Sequence, residues 1–95
     1  MAKGYVIARG VVTNATQWAV YAAAAGEAIK KYGGTPLVRG GQMTVAEGTG
    51  VARNVVLEFA SYDAAKAYSF SPEYAAARKL REGAGTLDIV VVEGA

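Results

Sequence analysis

The chain has 95 residues and a formal net charge of +2, from ten Lys and Arg against eight Asp and Glu. That balance is too weak and too dispersed for a nucleic-acid footprint. With no cysteine and no histidine, disulfides, thiolate nucleophiles, Cys/His zinc sites and His-based triads are excluded, and acid–base work falls to Asp, Glu, Tyr or Lys.

The first strand is expected over about residues 4–12. Tyr5, Ile7 and Val11 lie on one face, with Val6, Ala8 and Val12 on the other. Asn14 is a plausible N-cap, and Gln17 three residues on has the reach to return to it. The first helix follows over about residues 15–32, with Trp18, Tyr21, Ala25, Ile29 and Tyr32 as its buried stripe. The alanine-rich stretch from residue 22 to 25 reads as a close-packing helix surface. Gly33 is the expected left-handed cap.

Residues 35–45 read as extended but broken. Pro36 cannot donate to a ladder and suggests an edge position or a strand start. Gly40-Gly41 suggests a bulge or a sharp bend. Val55, Leu57 and Phe59 alternate along a third strand. Ser61 caps a short helix over residues 62–68. Ser71-Pro72-Glu73-Tyr74 is a second helix start, combining a cap, a proline in the first turn and an acid at the positive helix end. That helix is expected to reach about Glu82, with Tyr74, Ala77, Leu80 and Arg81 inward. In the fourth strand Leu87, Ile89 and Val91 point one way and Val90 and Val92 the other.

The order β-α-β-β-α-β is the split βαβ, ferredoxin-like arrangement of an α+β domain with an antiparallel sheet. Right-handed crossovers place the helical regions on one face. Strands apolar on both faces must be buried on both, so the uncovered face is expected to meet a second copy of the chain. No stretch is apolar enough to span a membrane. A cytoplasmic homodimer pairing through its sheet faces is the resulting expectation, with no membrane or nucleic-acid partner and no metal or cofactor.

Lys3-Gly4-Tyr5, Tyr32-Gly33-Gly34, Val38-Arg39-Gly40-Gly41, Glu47-Gly48, Leu57-Glu58-Phe59, Ser61-Tyr62, Ser71-Pro72-Glu73-Tyr74 and Val92-Glu93-Gly94 occur in this order. The set resembles the domain-of-unknown-function family numbered thirteen-thirty, in the dimeric α/β-barrel superfamily. Ala15 stands where such chains often carry a helix-starting proline. The resemblance implies a ferredoxin-like subunit whose sheets pair face to face, and brings no assigned activity. Superfamily relatives include cofactor-independent monooxygenases, isomerases and haem-degrading enzymes, and the lack of histidine counts against the last.

Five residues are candidates for a site. Arg39, before a flexible glycine pair, has the planar fork to bind a substrate carboxylate or phosphate, or else forms a structural ion pair with Glu47 or Glu58. Glu58, between Leu57 and Phe59, is a candidate general base or the partner of an arginine. Asp88 is a second candidate acid–base group; it anchors Arg81 or a ligand amine, or caps the turn after Gly85-Thr86. Tyr74 is the preferred phenol contact for a ligand, and Arg81 completes the cluster expected at one end of the sheet. The ligand class is a small anionic or carbonyl compound in a cleft between sheet and helices. Gly48-Thr49-Gly50 lacks the third glycine of a dinucleotide loop and leads into a strand, so it carries no such reading.

Overall fold

The computed structural model describes residues 2–95. Its elements run β1 (Gly4–Val12), α1 (Ala15–Lys31), β2 (Thr35–Arg39), β3 (Arg53–Phe59), α2 (Tyr62–Ser69), α3 (Pro72–Lys79) and β4 (Gly85–Glu93). The four strands form one antiparallel sheet in the order β2-β3-β1-β4. This is the expected ferredoxin-like α+β topology, with its second helical region divided at Phe70 and Ser71.

Each helix starts at a side-chain cap. Asn14 Oδ1 accepts from the Gln17 amide at 3.0 Å, Ser61 Oγ from Ala64 at 3.0 Å, and Ser71 Oγ from Tyr74 at 3.0 Å. A polar cap of this kind stabilises a helix by about 1 kcal/mol. The Gln17 side chain does not return to Asn14. It donates instead to the carbonyls of Leu80 and Glu82, at 3.0 and 2.7 Å. That ties the start of α1 to the turns after α3, which ends at Lys79 rather than near Glu82. Gly33 ends α1 with φ 76°, a left-handed conformation that L side chains adopt only with strain.

The sheet's inward face carries Val6 and Ala8 of β1 and Leu57 and Phe59 of β3, all buried. α2 packs on β1, β4 and β3, while α1 packs against α3. The opposite face is bare in the single chain. Val38, Val11, Val90 and Val92 are exposed there, Val90 by 52%. In register Ile7 stands between Val56 and Val90 on this face, so its centre is a continuous apolar patch. Soluble chains rarely leave such a patch open to water.

The second strand is shorter than expected. It stops at Arg39, where Gly40 and Gly41 turn the chain away with φ 72° and 92°. The bulge falls earlier, between Pro36 and Val38. Thr35 pairs with Glu58 and Pro36 with Leu57, but Val38 pairs with Val56 and Arg39 with Val55. One extra residue in β2 therefore reverses which side chains face the helices. Arg39 is moved to the helix side by that slip. No helix is long and apolar enough to cross a membrane, among the described residues.

Candidate functional site

Between the helices and the sheet lies a cleft of about 510 Å³, a size typical of small-molecule sites. Its floor is apolar, formed by Val6 and Ala8 of β1, Val55 and Leu57 of β3, and Leu87, Ile89 and Val91 of β4. Its roof comes from Trp18, Tyr21, Ala22, Ala25 and Gly26 of α1 and from Tyr74 of α3. Small side chains on α1, at Ala22, Ala25 and Gly26, leave room above the larger residues of the floor. A Cβ placed on Gly26 would touch nothing within 4 Å. The alanine-rich stretch is partly the close-packed surface expected from the sequence, since Ala25 lies in the core and Ala24 packs against it, and partly a cleft wall.

An aromatic chain crosses this layer. Ring centroids are 5.2 Å apart for Trp18–Tyr21, 6.3 Å for Tyr21–Tyr74, 5.2 Å for Tyr74–Tyr68 and 5.2 Å for Tyr68–Phe59. The hydroxyls of Tyr21 and Tyr74 share a buried hydrogen bond of 2.9 Å. Burial, and then the neighbouring phenols, push the Tyr21 and Tyr68 hydroxyls above the ordinary 10.0. Both stay protonated at neutral pH and serve as donors rather than bases. The indole Nε1 of Trp18 is buried without a hydrogen-bond partner among the described residues. Other atoms of the Trp18 side chain line the cleft.

Arg39 and Tyr74 both line this cleft, as do Arg53 and Arg78. The ion pairs among the described residues are Lys3–Glu58 and Lys31–Glu73. Arg39 is in neither, so the structural pair with Glu47 or Glu58 does not form.

Glu58 and Asp88 do not join Arg39 and Tyr74, and Arg81 reaches Tyr74 only through Tyr21, outside the cleft lining. Glu58 sits on the bare face, where it accepts from the Tyr5 hydroxyl at 3.0 Å and faces Lys3 Nζ at 3.9 Å. Asp88 is exposed on that same face, opposite Arg9 in register. Side-chain parity is the reason. Leu57 and Phe59 point inward, so Glu58 must point outward, and Asp88 stands in the same relation to Leu87 and Ile89. Arg81 holds its guanidinium 5.1 Å from the Tyr21 ring centroid, a cation–π contact that braces α1. The five residues therefore do not form a single cluster.

Arg53 is one of the charged cleft residues that sequence reasoning missed, with Glu27 and Lys30 of α1. The signal for Arg53 was available, because it shares parity with Val55, Leu57 and Phe59. Glu73, valued only as a helix-start acid, also accepts from Tyr32 Oη at 2.8 Å and pairs with Lys31. A second hollow of about 520 Å³ lies on the bare-face side, between Arg9, Val38 and Asn54 and residues 42–51.

Residues 3–95 match the family described as a domain of unknown function, DUF1330. The chain belongs to the DUF1330 family. No curated protein matches it. Among solved structures, this DUF1330 chain is similar to a protein of unknown function from Rhodopseudomonas palustris, with a TM-score of 0.75 and 16% identity over 96% of this chain and 81% of that one. It is also similar to a dimeric protein of unknown function with a ferredoxin-like fold from Bacteroides fragilis, with a TM-score of 0.56 and 18% identity over 96% and 95%. A third similar structure is SnoaB, a cofactor-independent oxygenase from Streptomyces nogalater, with a TM-score of 0.58 and 14% identity over 97% and 92%. At these identities the likeness establishes the ferredoxin-like fold of the DUF1330 chain.

Proposed function

We propose that this protein is a homodimeric small-molecule enzyme that works without a cofactor, taking a partly apolar substrate with an anionic or carbonyl oxygen into the cleft. The observation that carries the proposal is the cleft itself, an apolar trough with Arg39 at its edge and Tyr74 in its roof. Arg39 orients the substrate oxygen through its planar fork. The protonated phenols of Tyr21 and Tyr68, which both line the cleft, supply donors in an apolar setting, where they favour charge developing on a carbonyl oxygen. The oxygenase activity of SnoaB, on the same fold, supports this reading by analogy only.

The second copy covers the bare sheet face in this proposal. The apolar patch around Ile7, Val56 and Val90 supports it, as does the dimeric Bacteroides fragilis structure. Lys3–Glu58 and Arg9–Asp88 then belong to the rim of the interface, not to the substrate site.

A non-catalytic binder is the second reading. It is favoured by the placement of Glu58 and Asp88 on the far side of the sheet, which leaves Glu27 of α1 as the one carboxylate lining the cleft among the described residues. A thermal-shift screen of carbonyl compounds and apolar acids, run on wild type and Ala25→Leu, tests the cleft. The expected result is a set of stabilising compounds lost when the leucine fills the space. Those compounds are then followed for turnover and dioxygen uptake; binding without either favours the second reading.

A further inference from the structure

Arg39 and Arg53 lie on neighbouring strands and face the helices together. Arg39 pairs in register with Val55, and Arg53 is two residues before Val55 on the same face, which makes the two arginines diagonal neighbours. Both line the cleft. The Arg53 guanidinium lies against Gly40, whose added Cβ would stand 3.1 Å from Nη1. Neither arginine takes part in an ion pair among the described residues. Two like charges on neighbouring strands favour an anion between them; Glu27, Lys30 and Arg78 of the helices line the same cleft.

The cleft also has a direction. Its lining runs from Pro36 and Arg39 on the β2 edge, across β3 and β1, to Ile89 and Val91 on the β4 edge. Three strand spacings of about 4.8 Å make that span about 14 Å. The charged residues of the floor lie at the β2–β3 corner, and the β1 and β4 residues beyond them are apolar.

We infer that the cleft takes an elongated apolar anion, its carboxylate or phosphate held between Arg39 and Arg53 and its apolar body laid across the strands toward β4. This inference deepens the proposed function and rests on the cleft being the binding site. Forked guanidinium contacts suit both head groups, and the trough suits a body longer than a single ring.

Trp18 is the one tryptophan of the chain and lines the cleft, so its fluorescence reports entry. Decanoate, decyl phosphate, decanol and acetate are titrated into wild-type protein and into Arg53→Gln at one salt concentration. The inference expects saturable quenching by decanoate or decyl phosphate, about 10- to 100-fold tighter than by decanol, the worth of a charge-assisted hydrogen bond. Acetate, lacking the body, produces no change. Arg53→Gln lowers the affinity of the anion to near that of decanol and leaves decanol unchanged, which also shows that the variant is folded. Whichever anion binds tighter identifies the head group. Equal affinity of both anions and decanol, or an Arg53→Gln variant with unaltered anion affinity, overturns the arginine clamp and leaves the cleft as a binding site. No quenching by any of the long-chain compounds overturns both.

Discussion

The hydroxyls of Tyr21 and Tyr74 lie 2.9 Å apart and join α1 to α3 across the roof of the cleft. Each phenol is the other's buried partner, so the two depend on each other. Removing one leaves the other unsatisfied, which costs about 1–3 kcal/mol. Tyr74→Phe and Tyr21→Phe are each expected to destabilise by that amount in urea unfolding at fixed protein concentration. The double variant should lose less than the sum of the two, since it leaves no orphan hydroxyl. Additive losses would show that the hydrogen bond contributes nothing to holding the helices together.

Glu73 is a pH-sensitive tie between α1 and α3. Hydrogen bonds from Lys31 and then Tyr32 lower its carboxyl from 4.5 to about 2. A carboxyl with a depressed folded value stabilises the native state above its unfolded value and loses that contribution as pH falls through the folded one. Wild type should therefore melt higher than Glu73→Gln at pH 6. The gap should shrink between about pH 4.5 and 2 and be gone below that window. A gap that stays constant across this range would contradict the assignment.

Gly33 ends α1 at φ 76° with open space where a Cβ would go. Gly33→Ala therefore meets no clash, and its cost is conformational strain alone, about 1 kcal/mol. Urea unfolding should record that loss with an unchanged m-value. An unchanged midpoint would contradict the cap.

Val90 and Val91 are adjacent and chemically identical, yet their lysine variants should fail differently. Val90 is 52% exposed on the bare face, while Val91 packs against the helix-side core. Val90→Lys is expected to give folded protein that sediments as a monomer, because the proposed interface would bury an unpaired charge. Val91→Lys should unfold or precipitate. A Val90→Lys protein that still sediments as a dimer would contradict the sheet-face interface.

Strand alternation and helix caps were legible because they depend on neighbours in sequence. Asn14, Ser61, Ser71 and Gly33 all act as their residue types suggest. The positions of Glu58 and Asp88 were equally legible, since parity with Leu57 and Leu87 turns both away from the helices. Reading them by their apolar neighbours alone put them in the wrong layer. Arg39 was different. Its inward position depends on the one-residue slip after Pro36, and nothing local marks that slip. The cleft was hidden for another reason. Alanine at residues 22 and 25 serves close approach and open space equally well, and only the separation of α1 from the strands decides between them. Which apolar face stays bare is likewise set by the crossover hand, not by the face's own composition.

The central claim is that the cleft, and not the bare sheet face, holds the ligand, while the bare face holds the second copy. A crystal structure of the protein grown with saturating decanoate tests both halves at once. Two chains packed sheet to sheet are expected, with the decanoate chain between α1 and the strands and its carboxylate between Arg39 and Arg53. Decanoate lying against Ile7 and Val90 on the sheet face, with the α1 cleft empty, would contradict the claim.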